Sequence, residues 1–211
     1  MNIIARAGMP ELLLMEYPRT TNFYRRNLPH WHVSERSYFI TFRLKNSIPK
    51  EVLEDLKEKY SRIKSETEET KLNELYRTHF LKYEKVLDSA KENLYLNDPR
   101  IARLIIEGFE WIEINTGWEV PSFTVMPNHV HCLMTSRKAV MSFNSALRIL
   151  KGFTARKANL LLNRTGSFWT PENFDHWCRS PEKEESVKKY IRNNPVRAGL
   201  VKSADDWPWK K

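Results

Sequence analysis

Cysteine is scarce in this chain. Its 211 residues include two, Cys132 and Cys178, and no Cys-x-x-Cys pair. That excludes a disulfide framework and a thiolate zinc cluster, and points to a reducing, cytoplasmic setting. No stretch comes near the roughly 20 consecutive apolar residues that a membrane span requires. Met1 to Glu16 carries Glu11 and Glu16 and an apolar run broken by Pro10, so no secretory leader is expected. Internal repeats and low-complexity tracts are also missing. Acid is in the minority: 26 Asp and Glu stand against 35 Lys and Arg, a net charge of +9. Such a balance favours a polyanionic partner over an acidic small molecule, although a merely basic, soluble surface accounts for it equally well. What is present is 41% apolar residues, enough to bury a core in one domain over residues 1–211, or in one domain with a large insertion.

Residues 17 to 33, in an N-terminal arm of residues 1–33, mix Arg19, Arg25 and Arg26 with Phe23, Tyr24 and Trp31, and two prolines are expected to break any regular element. Guanidinium groups beside rings suit single-stranded nucleic acid. Aromatics covering the edge of the core fit the same residues. Arg36 to Leu44 reads as a strand, with Tyr38, Ile40, Phe42 and Leu44 on one face and Phe39, Thr41 and Arg43 on the other.

Residues 49 to 107 form a helical block. Pro49 suits the first position of a helix reaching Ser65, with Val52, Leu53, Leu56, Tyr60 and Ile63 on one side. Ser65 to Thr70 is a solvated acidic link, and Leu72, Leu75, Tyr76, Phe80, Tyr83, Val86 and Leu87 mark a second helix. Asp98-Pro99 caps a third. The block is longer than a single crossover needs, so part of it is expected to be an insertion beside the sheet. Trp111 to Asn115 fits helix or strand.

Trp118 to Val125 is extended in character, and Pro127-Asn128 turns the chain into a second strand that carries His129 and His131. Phe143 to Leu162 is helical, with Phe143, Leu147, Leu150, Phe153 and Leu161 on its apolar side. Its Arg148, Lys151, Arg156 and Lys157 suit a phosphate backbone or plain solvent alike. Phe168-Trp169 and Phe174 to Arg179 suggest a last strand. Ser180-Pro181-Glu182 then opens a helix of residues 180–195 that carries Val187, Tyr190 and Ile191 and is expected to end near Pro195. Tyr190 and Asn194, four apart, share a face of it. Asp206-Trp207-Pro208-Trp209 reads as an aromatic plug on the core.

Alternation along a strand puts His129 and His131 on one face, where two neutral imidazoles can share a metal ion. Six histidines in the chain make such a pair by chance with a frequency of roughly 0.17. The spacing alone therefore leaves two structural histidines as an open reading.

Met126-Pro127-Asn128-His129-Val130-His131, followed some 60 residues later by Tyr190-Ile191-Arg192-Asn193-Asn194-Pro195-Val196-Arg197-Ala198-Gly199-Leu200-Val201, resembles the single-tyrosine HUH transposases. Within that superfamily the chain is most similar to the REP-associated tyrosine transposases. Arg25-Arg26-Asn27-Leu28-Pro29-His30-Trp31, the strand from Tyr38 to Leu44, Asp98-Pro99, Asp175-His176 and the terminal Trp-Pro-Trp share in the likeness, which spans most of residues 24 to 209.

The resemblance implies an α+β fold: a ferredoxin-like antiparallel sheet (the HUH endonuclease fold) with the His-bearing strand central, an inserted helical block and a C-terminal tyrosine helix. It implies His129, His131 and Asn194 as ligands of a divalent metal and Tyr190 as a nucleophile that forms a 5′-phosphotyrosine and frees a 3′-hydroxyl. Imidazole and amide ligands suit Mn²⁺ or Mg²⁺ and leave zinc open. An unperturbed phenol, with a pKa of about 10, needs a nearby cation or base to attack well at neutral pH.

Asp175 and His176 are candidates to support the site from behind the ligands. Arg25, Arg26, Arg148, Lys151, Lys189, Arg192 and Arg197 are candidates for DNA contact. The expected partner is single-stranded or hairpin DNA, with no membrane, in a nucleoid-associated monomer or homodimer. Two alternatives stay open: a DNA-binding regulator of the same fold without chemistry, and a small metallohydrolase using His-x-His with another ligand set.

Overall fold

The computed structural model describes residues 20–25, 29–33, 36–63, 69–136 and 138–211. The elements run β1 (Thr20–Arg25), β2 (Pro29–Val33), β3 (Ser37–Arg43), α1 (Lys50–Ile63), α2 (Glu69–Ser89), α3 (Pro99–Thr116), β4 (Trp118–Val125), β5 (His129–Ser136), α4 (Phe143–Leu161), β6 (Phe174–Trp177) and α5 (Pro181–Arg197). The main sheet has the order β4-β5-β3-β6, with antiparallel pairing throughout, so β5 is an inner strand. Among the described residues no helix is long and apolar enough to cross a membrane.

Alternation in β3 and β5 divides the sheet into two environments. Tyr38, Ile40 and Phe42 pair with Met134, Cys132 and Val130 and join Ile105, Phe109 and Ile112 of α3 and Phe143, Leu147 and Leu150 of α4 in the larger core. The opposite face carries Phe39 and Leu133, packed with Val187 and Ile191 of α5 and Phe80 of α2. This second, smaller core surrounds the histidines. Burying both faces of a four-stranded sheet explains why β3 is buried at every position.

Helix ends follow their signals. Asp98 accepts from the Arg100 N–H with Pro99 behind it, and Ser180 accepts from the Lys183 N–H before Pro181. Trp111 to Asn115, open between helix and strand in sequence, belong to α3, which stops at Gly117 with φ of 71°.

The structure corrects three expectations. Residues 20–25 and 29–33 of the arm pair as antiparallel strands, β1 with β2, because Pro29 occupies the first position of its strand, where the missing N–H costs least; Pro18 lies outside the described residues. Pro49 precedes α1 and supplies the carbonyl that Leu53 N–H donates to. The last helix passes through Pro195 to Arg197. A proline's fixed φ is helical, and burial of Ile191, Asn194 and Pro195 offsets the hydrogen bond that its absent N–H forfeits.

The terminal segment does more than plug the core. Val125 N–H donates to the Trp209 carbonyl at 2.8 Å, Lys211 N–H donates to Phe123 O at 3.0 Å, and Trp207 Nε1 donates to Val125 O at 3.1 Å, so the free edge of β4 is covered.

Gly117 is the position least able to change. Its left-handed φ strains any L side chain, and a Cβ there would run into the Lys138 carbonyl, which is backbone and cannot swing aside. Gly117→Ala is expected to lower Tm by about 5 °C, measured by thermal melting.

Candidate metal centre and tyrosine site

The hairpin between β4 and β5 is closed by Met126 N–H donating to His129 O at 2.9 Å. It sets His129 and His131 opposite Arg43 and Thr41 of β3, on the face away from the larger core. Both histidines are fully buried. Asn128 Nδ2 donates to the Leu87 carbonyl of α2, which turns its Oδ1 toward His129 Nδ1 at 2.6 Å. His129 must therefore carry its proton on Nδ1 and present a lone pair at Nε2. His131 Nδ1 is engaged by Thr41 Oγ1 at 2.8 Å. The two Nε2 atoms then meet at 3.0 Å.

A third donor completes the cluster. Glu84 of α2 is 1% exposed, and its Oε2 lies 2.9 Å from His131 Nε2. Among the described His, Cys, Asp and Glu residues, Glu84, His129 and His131 bring their donor atoms within 4.8 Å of one another. Asp88, one turn on, places Oδ1 4.0 Å from His129 Nε2.

Titration reflects this crowding. Burial, then the charge of His131, pushes His129 down to about 3. Burial pushes the Glu84 carboxyl up, but the charge and hydrogen bond of His131, the charge of His129 and the Tyr190 hydroxyl outweigh it, leaving the group below the usual carboxylate range. Burial, then the charge of Glu84, raises Asp88 to about 6.

The donor set fits a cation. A proton on His131 Nε2 would serve Glu84 Oε2, yet Glu84 Oε1, Asp88 Oδ1, Thr124 Oγ1 and both amide atoms of Asn194 would remain buried without hydrogen bonds. Thr124 pairs directly with His131 across β4 and β5, so its hydroxyl belongs to the same neighbourhood. A divalent charge held by imidazole nitrogen and carboxylate oxygen answers that convergence better than a proton.

Tyr190 of α5 reaches this cluster from the same chain. Its hydroxyl donates to Glu84 Oε2 at 2.7 Å, and its ring meets those of His131 and Phe39 edge-on, at centroid distances of 5.8 and 5.7 Å. Burial, then the charge and hydrogen bond of Glu84, raises the phenol above its ordinary value, while Arg197 opposes the rise. Asn194 lies one turn beyond Tyr190, 0% exposed, on a helix that packs on β4 and β5.

The remaining sequence candidates scatter. Arg197 stands over the Tyr190 ring, with Cζ 4.7 Å from its centroid. Lys189 is exposed, and Arg192 is exposed but paired with Asp205 at 2.6 Å. Lys151 donates to the Thr170 carbonyl and to Asn173 Oδ1 at 2.6 and 2.7 Å, fastening a loop on the far side of the sheet. Arg148 is exposed on the same helix, α4. Asp175 pairs with Ile40 and so faces the larger core, whereas His176 pairs with Phe39 on the histidine side. Burial, then Lys183 and Arg179, lowers His176 to about 4. Arg26 and the side chain of Arg25 lie outside the described residues.

Glu84 and Asp88 escape a reading of the sequence by motif. Their signal is a carboxylate at each of two positions in the buried stripe of α2, beside Phe80, Tyr83 and Leu87.

A four-stranded antiparallel sheet with an inner His-x-His strand and a tyrosine-bearing helix across it defines an α+β protein of the HUH endonuclease fold. The sequence pattern of the IS200-like transposase family matches residues 77–194, more than half of the chain, and the chain belongs to that family. It is similar to a REP-associated tyrosine transposase of Escherichia coli (strain K12), at 29% identity over 92 residues, which are 44% of this chain and 53% of that protein. The chain thus spans about half the length of that relative. Among solved structures it is similar in fold to a REP-associated tyrosine transposase bound to a REP hairpin, with a TM-score of 0.56 and 18% identity over 89% of this chain and 80% of that one.

The titration pattern fixes a pH dependence for the metal-stripped protein. His129 and His176, held near 3 and 4, stay neutral when folded but bind protons below about 6.5 when unfolded. Their contribution is present above that pH and lost as pH falls. Asp88, raised to about 6, works the other way, because its folded form gains a proton first. Between pH 6 and 4 the unfolded state therefore binds at least about one more proton, and stability should fall by at least about 1.4 kcal/mol per pH unit. Asp88→Asn should roughly double that slope in denaturant titrations run with EDTA.

Proposed function

We propose that this chain is a metal-dependent single-strand DNA endonuclease and strand transferase that acts on REP-type hairpin DNA through a 5′-phosphotyrosine. One observation carries the reading: a single carboxylate oxygen, Glu84 Oε2, lies within hydrogen-bond distance of both His131 Nε2 and the Tyr190 hydroxyl. The nucleophile and the cation-binding donors thus meet at one atom. Membership in the IS200-like transposase family and the likeness to a relative bound to a REP hairpin support the DNA substrate.

His129, His131 and Glu84, with Asn194 on the tyrosine helix, would hold Mn²⁺ or Mg²⁺, which when bound neutralises a non-bridging phosphate oxygen and orients the phosphorus. Asn128 and Thr41 fix the imidazoles so that both Nε2 atoms point inward. Glu84 holds the phenolic O–H and stands where its proton can be taken as the oxygen attacks. Phe39 and Phe80 pack on the tyrosine ring and would hold its orientation. The Tyr190 O–P bond forms as the P–O3′ bond breaks, and the phosphotyrosine conserves the bond energy for rejoining. Exposed Lys189, on the tyrosine helix, would follow the DNA backbone. Tyrosine and donors come from one chain, which supports cleavage by a monomer.

With end-labelled hairpin DNA and Mn²⁺, the wild-type protein should give a covalent protein–DNA band on a denaturing gel. Tyr190→Phe or EDTA should abolish it. Tight hairpin binding with no band would instead leave a regulator without chemistry. Calorimetric titration with Mn²⁺ checks the ligands independently: His131→Ala should remove measurable binding, and Glu84→Gln should weaken it by at least about tenfold.

A further inference from the structure

We infer that Arg197 is a catalytic residue of this site, its guanidinium gripping the phosphate that Tyr190 attacks; the inference rests on the nuclease reading above. Residues 190, 194 and 197 are four and three apart, so Tyr190, Asn194 and Arg197 form one stripe along α5. Arg197 is exposed and extends over the tyrosine ring, its Cζ 4.7 Å from the centroid. The guanidinium therefore stands in solvent beside the ring of the nucleophile.

Two neighbouring cations on the helix are engaged elsewhere. Arg192 is paired with Asp205 at 2.6 Å, and Lys188 with Glu184 and Glu185 at 3.2 and 2.7 Å. Arg197 has no carboxylate within ion-pair distance among the described residues.

Charge balance shows why the site needs it. Two neutral imidazoles and the carboxylates of Glu84 and Asp88 are matched by one divalent charge. The phosphodiester adds a negative charge, and more builds on the phosphoryl oxygens during transfer. Arg197, over the Tyr190 ring, is a cation beside that excess. A planar guanidinium, unlike an ammonium, can hold two of those oxygens at once. In the step it serves, the phenol proton passes to Glu84 Oε2 as the Tyr190 O–P bond forms. The P–O3′ bond breaks, the 3′-oxygen takes a proton from water, and Glu84 returns its proton to the resulting hydroxide.

The test is single-turnover adduct formation on end-labelled hairpin DNA with a single-stranded flank, using wild type, Arg197→Ala and Arg197→Lys with Mn²⁺. Arg197→Ala should slow adduct formation about 100-fold, the scale of losing one donor to a charged transition state. Hairpin affinity should change less than about threefold, and calorimetric Mn²⁺ affinity should be unchanged. Added millimolar guanidinium should restore the rate of Arg197→Ala in a concentration-dependent way and leave wild type unaffected. Arg197→Lys, which keeps the charge without the fork, should fall between the two. Adduct formation by Arg197→Ala within about threefold of wild type, or a loss that guanidinium does not restore, overturns the assignment. Failure of the wild-type protein to form any adduct removes the nuclease reading and this inference with it.

Discussion

Two buried imidazoles whose Nε2 atoms meet at 3.0 Å, beside a buried carboxylate, need a proton or a cation shared among them. Much of this structure serves to create that demand. The tautomer of His129 is set by Asn128, and Asn128 is set by a main-chain carbonyl of α2. The same helix contributes Glu84 and Asp88. One element therefore decides how the histidine presents itself and supplies the acid that faces it.

The two faces of the sheet divide the labour. The larger core, between the sheet and α3 and α4, is almost wholly apolar and holds the strands in register. The face under α2 and α5 mixes rings with titratable groups, and its apolar cluster is small. Polar atoms left without partners gather there: Glu84, Asp88, Thr124 and Asn194 supply most of them. Stability is drawn from one side of the sheet, so strain and unpaired charge can be carried on the other.

What the sequence made legible follows from how local each signal is. Alternation in residues 36 to 44 and 118 to 136 needs only neighbours, and so do the Asp98 and Ser180 caps; all of these agree with the structure. The sheet order and the inner place of β5 came from resemblance, since strand pairing across 90 residues leaves no local mark. Glu84 was hidden because a single acid in an amphipathic helix looks like a surface residue until the opposite wall is known. The face of Asp175 depends on β6 pairing with β3 in a register that four residues cannot announce. At Pro29 and Pro195 proline misled because its effect depends on whether the missing N–H had a partner to lose.

Glu84 has one oxygen committed twice and one not at all. Oε2 receives the tyrosine hydroxyl and faces His131, while Oε1 is buried and finds no hydrogen bond. On the proposed reading, a carboxylate so divided could turn its spare oxygen to a cation without releasing the Tyr190 phenol. The raised titration of Tyr190 is then a property of the waiting state: a neutral, well-held phenol surrounded by acid. Positive charge beside Glu84 would weaken that carboxylate's pull on the phenol and favour the ionised oxygen. On the proposed reading, readiness of the nucleophile would be linked to occupancy of the site through one shared residue, Glu84.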